Sequence, residues 1–360
     1  MKPEAIFTAA TELINQILSS PQPANDIINA YTRSRRYIGS KDRRNLTDLV
    51  WSYIRHKSRL EYLFPDTPVA EKLRKLPDVP NTISNAPLHV NMEVPDWLPP
   101  LIPEASTELP ALLGAADTIL RANGNRDQIQ KSLLLEGIET IPTHLSPYGL
   151  KLQKRANIQS TRAYRNGLIE IQDEGSQCIA LETGIKPGDI VLDYCAGAGG
   201  KSLIFAQMMQ NCGQIIAHDV SMKSLLELQK RASRAHATCI RTERPLKPAL
   251  FNHVVTDVPC SGTGTWRRCP DRRFKLTQEE LKKLLQTQAK ILDTAATFVR
   301  PGGKLSYMTC SLLTPENEDQ VRHFLTRHPD FFLLNQKRFS PARTHTDGLF
   351  IATCQKKSTP

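Results

Sequence analysis

The chain has 360 residues, 40% of them hydrophobic and 23% charged, which provides core material for about two or three globular domains and excludes a collagen, a coiled-coil rod or a wholly disordered tail. Lys and Arg total 47 against 36 Asp and Glu, and the resulting formal charge of +11 favours an anionic partner without separating RNA from a membrane surface. The eight cysteines are scattered and form no C-x-x-C pair, so neither a zinc site nor a disulfide framework is expected.

No run approaches the roughly 18 consecutive apolar residues of a spanning helix. The opening MKPEAIFTAATELINQ places Glu4 and Glu12 where a signal peptide would be apolar. We therefore expect a cytoplasmic, monomeric protein with no membrane partner and no metal.

Three segments follow one another, expected as domains 1–80, 81–165 and 166–360. In the first, Ile6, Ala10, Leu13, Ile14, Ile17 and Leu18 recur at helical spacing, as do Leu46, Leu49, Val50, Tyr53 and Ile54. Ser40 is the expected N-cap of the second run, with Asp42 in its first turn. Between residues 31 and 60 nine Lys and Arg face two Asp. This excess reads either as a solvated bundle face or as a phosphate-contacting surface. Prolines at 80, 87, 95, 99, 100, 103 and 110 then break up long helices and mark a linker with a small second unit, where Arg126–Gly137 can form one helix. Further on, β-rich runs alternate with helical stretches. The runs are 189–194, 214–219, 253–258, 304–309 and 349–354; the helices begin at Lys201, Met222, Thr277 and Glu316. Alternation of this kind predicts an α/β fold with a parallel sheet covered by helices.

Cys195-Ala196-Gly197-Ala198-Gly199-Gly200-Lys201 joins the first of these strands, which ends at Asp193, to its helix. A small-residue turn there brings backbone amides and a positive helix end over the strand tips, as in a ligand crevice. A phosphate loop would need glycine at 195 and a dinucleotide motif glycine at 202, where this chain has Cys195 and Ser202. The other reading is that the glycines only allow strand and helix to pack closely. Asp219 ends the next strand, where doubly wound sheets place a ribose-binding acid, and two strand-end acids with such a turn suit S-adenosylmethionine. Asp257-Val258-Pro259-Cys260 and Thr309-Cys310-Ser311 end the following strands. Either cysteine alone reads most simply as a buried apolar residue, but two on one rim beside an Asp-x-Pro corner point to chemistry.

The segments CAGAGGKS, DVPCSGTGTWRRCPD and SYMTCSLLTPENEDQV resemble the signature segments of the RsmB/Nop/Sun family of RNA cytosine-5 methyltransferases. The likeness runs over roughly residues 165 to 355, starting at IEIQDEGSQ, and YTRSRRYIGSKDRRNLTDLVWSYIRH is similar to the NusB-like RNA-binding helices of bacterial members. The resemblance implies a Rossmann-like class I methyltransferase sheet with helices on both faces, preceded by an all-α NusB-like domain and a small α/β linker domain. It implies that Cys310 adds to carbon 6 of cytosine, that Asp257 hydrogen-bonds the ring and that Cys260 assists loss of the carbon 5 proton. It implies S-adenosylmethionine held by residues 195–201, with Lys201 at the cofactor's carboxylate, and by Asp219 and Asp257. Gly197-Ala198 stands where many members have Ala-Pro. Members carry an adenine-binding Asp after the third strand, for which Glu243 is the nearest acid here. Ribosomal RNA is the expected substrate, 16S rRNA in particular, and tRNA the second.

A target base must be unpaired or flipped out. Arg267, Arg268, Arg272, Arg273 and Lys275, with Trp266 as a stacking surface, read either as RNA contacts or as a solvated loop. Three rivals stand beside this reading. An exocyclic-amine or protein methyltransferase needs no cysteine, and a cysteine hydrolase would need His218 or His253 beside Cys310. The third is an RNA-binding assembly factor without turnover.

Overall fold

The computed structural model describes residues 1–358 as two compact units. One comprises Met1–Ala116 with Gly262–Gln278 and the other Asp117–Ser261 with Glu279–Pro360.

In the first unit, helices Pro3–Ser19, Ala24–Ser34 and Ser40–Arg55 pack around a shared core. Their apolar positions fall at i, i+3 and i+4, so Leu13, Ile14, Ile17, Leu46, Val50, Tyr53 and Ile54 all point inward and are buried. Each such side chain contributes about 1.5–3 kcal/mol by leaving water. Ser40 is the first helical residue rather than the cap; Gly39 holds that place and no side chain caps the helix. Behind this core Arg59 forms a fully buried ion pair with Glu93, Nε to Oε1 at 2.8 Å, and Glu93 also accepts from the Ser58 amide. Arg59 thus drops out of the basic surface, while Arg33, Arg36, Lys41 and Arg44 remain exposed.

The second unit carries two sheets. β1 (Ile119–Ala122), β2 (Thr140–Pro142), β3 (Gly149–Leu152) and β4 (Ile169–Ile171) form an antiparallel sheet in the order β2-β3-β1-β4. Helix Arg126–Leu135 lies between β1 and β2, capped by the Asn125 side chain, which accepts from Gln128 N. The larger sheet contains β5 (Ile190–Asp193), β6 (Gln214–Ala217), β7 (Ile240–Thr242), β8 (Phe251–Asp257), β9 (Val299–Thr309), β10 (Phe331–Phe339) and β11 (Leu349–Lys356), in the order β10-β11-β9-β8-β5-β6-β7. Successive strand side chains point to opposite faces, and both faces are covered. Val191, Ile215 and Val255 therefore enter one core, while Leu192, Ile216 and Val254 enter the other.

The sheet is mixed rather than parallel throughout. β5 to β9 pair in parallel, but β11 runs antiparallel to β9 and β10 antiparallel to β11. The chain leaves β5 first towards β6 and β7, then returns to build β8 and β9 on the other side. That reversal opens a crevice at the carboxyl ends of β5 and β8, where doubly wound sheets bind ligands.

Candidate active site at the carboxyl edge of the sheet

β5 ends at Asp193 and the chain turns through Gly199 into helix Gly200–Met208. Gly199 has φ +84°, and a Cβ there would lie 2.6 Å from Leu228 Cγ, so only glycine fits without displacement. Asp219, just past β6, grips the turn: its carboxylate accepts from Gly197 N at 2.8 Å and from Ser221 N at 2.7 Å. Behind the turn, Arg231 donates to Ala198 O at 2.6 Å and Gln172 to Gly200 O at 3.0 Å. The structure thus brings Asp219 onto the 195–200 turn, and Arg231 and Gln172 are supports that no local pattern revealed.

Asp193 lies beneath this turn, buried. Its Oδ2 accepts from Ser202 Oγ at 2.6 Å, whereas Oδ1 has no hydrogen-bond partner. Burial, with Asp257 and Asp219 adding to it against Ser202 and Lys201, pushes its carboxyl up to about 7. Burial also raises the Cys195 thiol well above the ordinary range, helped by Asp193, Asp257 and Asp219, so Cys195 stays a neutral part of the turn.

Lys201 Nζ sits 2.6 Å from Asp257 Oδ2. Burial pulls the ammonium's pKa down, but Asp257, Cys310 and Asp193 more than offset this, so the net shift is upward and the positive charge is held. At the tips of β8 and β9, Cys260 and Cys310 meet: their sulfurs are 3.3 Å apart, and Cys310 N donates to Cys260 Sγ at 3.3 Å. Both side chains are half-buried. Two pairs, 50 and 56 positions apart in sequence, thus place two thiols, a carboxylate and an ammonium around one end of the β5–β8 crevice. Among the described residues no group of three or more His, Cys, Asp or Glu is arranged to hold a metal ion, and no helix is long and apolar enough to cross a membrane.

A family model described as 16S rRNA methyltransferase RsmB/F matches residues 180–355. The probable ribosomal RNA small subunit methyltransferase B of Bacillus subtilis is 31% identical over 266 residues, covering 66% of this chain and 59% of the relative. Its counterpart in Synechocystis is 31% identical over 296 residues, covering 73% and 66%. The chain belongs to the RsmB/Nop/Sun family. It spans about three-fifths of the length of these curated relatives. Among solved structures, PH0851 superposes with a TM-score of 0.81 at 21% identity over 99% of each chain, which establishes the fold. A methyltransferase homolog from Pyrococcus horikoshii gives a TM-score of 0.61 at 27% identity over 70% of this chain and 90% of that one. NSun6 from Pyrococcus horikoshii, solved with SFG, gives 0.65 at 18% identity over 71% and 95%. The larger sheet is thus the Rossmann-like class I methyltransferase sheet.

Several expected features of this RsmB/Nop/Sun chain lie elsewhere. Glu243 does follow the third parallel strand, but its Oε1 is turned back to accept from Lys247 N at 2.6 Å. The expected stacking surface is absent at Trp266, which is fully buried. Arg267 and Arg273 are buried too; Arg55 donates to the carbonyl of Arg267, Arg273 donates to Leu112 O, and Lys275 pairs with Asp271 at 3.1 Å. Residues 262–278 belong to the helical unit, and that packing consumes the side chains a sequence reading assigns to RNA. Only Arg272 is exposed. The hydrolase reading loses His253, which is buried in mid-strand on Ser306 Oγ at 2.8 Å and depressed by burial to about 3; His218 is held on the Tyr194 side, its Nδ1 3.1 Å from Tyr194 O.

Proposed function

We propose that the chain is an S-adenosylmethionine-dependent RNA cytosine-5 methyltransferase that acts through a covalent Cys310–cytosine adduct, with 16S rRNA as its substrate. The observation that carries this reading is the 3.3 Å contact between the Cys260 and Cys310 sulfurs on adjacent strand tips, with Asp257, at the end of the strand that leads to Cys260, paired to Lys201. A protein or amine methyltransferase has no use for two juxtaposed thiols.

The crevice suits the cofactor. The turn at 195–200 leaves room for close approach, Asp193 keeps one buried carboxyl oxygen without a partner, and Asp219 has lone pairs beyond the two it uses. Residues 195–201, Asp219 and Asp257 would hold it, with Asp193 below and Glu243 at the adenine side. S-adenosylmethionine supplies an electrophilic methyl group there.

Carbon 5 of cytosine is too weakly nucleophilic to accept that methyl group unaided. Addition of the Cys310 thiolate to carbon 6 converts the ring to an enamine whose carbon 5 is electron-rich. N3 takes up a proton as the thiolate adds, so Asp257, held in place by the Lys201 ammonium, accepts from the exocyclic amine throughout and from the N3 proton only once the adduct has formed. After transfer Cys260 takes the carbon 5 proton, and elimination releases Cys310. The names of the curated relatives support ribosomal RNA. The exposed Arg33, Arg36, Lys41 and Arg44 of the helical unit are proposed to contact its phosphates.

The test uses 16S rRNA substituted with 5-fluorocytidine, which has no carbon 5 proton to lose. A stable protein–RNA adduct that forms only with S-adenosylmethionine and maps to Cys310 is the expected result. Methyl label recovered at a purine, a sugar or an exocyclic nitrogen would overturn it.

A further inference from the structure

Both cysteine-bearing loops are tied to one carboxylate that the chemistry above does not use. Glu316 is completely buried. Its Oε1 accepts from Ser261 N and Gln288 Nε2, each at 2.9 Å. Its Oε2 accepts from Ser261 Oγ at 2.5 Å and from Ser311 Oγ. Ser261 follows Cys260 and Ser311 follows Cys310, so a single side chain holds the residue next to each thiol. The neighbouring residues tighten the arrangement: Gln288 also donates to Pro259 O at 3.1 Å, and Asn317 accepts from Thr309 Oγ1 at 2.6 Å while donating to Ser311 O at 2.9 Å. Each cysteine is thereby fixed on both sides in the chain. Glu316 is itself held from behind, because Tyr307 donates to its carbonyl at 2.6 Å.

We propose that Glu316 is the positioning residue that keeps the Cys260 and Cys310 sulfurs in contact, so that one ring can meet the attacking thiol and the proton-accepting thiol without either loop moving. Its carboxylate reaches no solvent and both its oxygens are taken by the loops, so it does not touch substrate. Apolar packing cannot do this task, since the two loops present backbone amides and hydroxyls that need an acceptor once buried. The effect on turnover rests on the function proposed above; the effect on sulfur spacing does not.

The experiment measures spacing and turnover separately on the full chain. Diamide oxidises two neighbouring thiols to a disulfide, itself taking up the two electrons and two protons, and the Cys260–Cys310 peptide is followed by mass spectrometry. Glu316→Ala is expected to slow this cross-link about tenfold or more, as the loops sample separated positions once hydrogen bonds to a buried carboxylate are lost. Glu316→Gln keeps one acceptor oxygen, and the two serine hydroxyls can turn to accept from its amide, so its rate should stay within about threefold of wild type. In methyl transfer, Glu316→Ala should lower kcat about a hundredfold with KM for RNA and cofactor little changed, and Glu316→Gln should recover most of it. A folded Glu316→Ala that cross-links at the wild-type rate overturns the proposal, whatever its kcat. If that variant does not fold, Ser311→Ala is read in its place, and an unchanged cross-linking rate there overturns it equally. A wild-type protein that transfers no methyl group, with a cross-link that still responds to Glu316→Ala, refutes the proposed reaction and leaves the positioning role standing.

Discussion

Replacing Asp193 by Asn should make the protein progressively more stable, relative to wild type, as the pH rises. The Asp193 carboxyl is fully buried with one oxygen unpartnered, and its pKa is pushed from 3.8 up to about 7, first by burial and then by Asp257 and Asp219. A raised carboxyl binds a proton in the folded state that the unfolded chain has already released. Its contribution is therefore favourable below about pH 4 and is lost as the pH climbs towards 7. At about 1.4 kcal/mol per pKa unit, the wild-type protein loses about 2–3 kcal/mol between pH 5 and pH 8 that the Asn variant does not. For a unit of roughly 230 residues this widens the gap between the two melting temperatures by about 5 °C over the same interval. Thermal unfolding at pH 5, 6, 7 and 8 is the assay, and the variant-minus-wild-type difference cancels every other titrating group. A difference that stays constant across the range would refute the argument, since the substitution would then act through contacts alone.

Cys310→Ala should abolish methyl transfer while S-adenosylmethionine binding stays within about threefold in calorimetry, because in the proposed reaction the thiol acts on the base and not on the cofactor turn. Cys260→Ala should instead accumulate a protein–RNA adduct that survives denaturing gels, and unimpaired release of methylated RNA by that variant would remove its assigned role. Gly199→Ala places a side chain at φ +84° and 2.6 Å from Leu228, so a loss of about 2 kcal/mol or more in stability is expected in denaturant unfolding, with weaker cofactor binding. Arg59→Met leaves Glu93 buried without its ion-pair partner and should destabilise the helical unit by about 3–5 kcal/mol, whereas the double change Arg59→Met, Glu93→Leu should recover much of that. Chemical denaturation of both variants and the wild type checks this.

Most of the elements that position the site could be read from local pattern. Strands β5, β6, β8 and β9 are apolar runs that end in Asp193, in Ala217 just short of Asp219, in Asp257 and just before Cys310, and helix Met222–Arg234 has the bounds its spacing predicts. The strands that local pattern missed explain themselves. β7 is three residues long with no fully buried side chain, and β10 is exposed over most of its length, so neither carries a hydrophobic period. Strands β1–β4 are three or four residues each, among prolines and turns, and show little beyond noise in a periodicity count.

What the sequence determined by itself is which residues stand at strand ends and which face each side chain takes, because those follow from chain-local geometry: a period of two in strands, 3.6 in helices and a turn that only glycine tolerates. Tertiary structure alone decided lateral order and partnership. It set Cys260 against Cys310, gave Lys201 to Asp257, reversed the last strand and packed Trp266 and Arg273 within the helical unit rather than leaving them for RNA. Those outcomes depend on pairing between segments tens to hundreds of residues apart, where many registers satisfy the same local pattern and only the burial of both sheet faces, with every polar group between them matched, selects one.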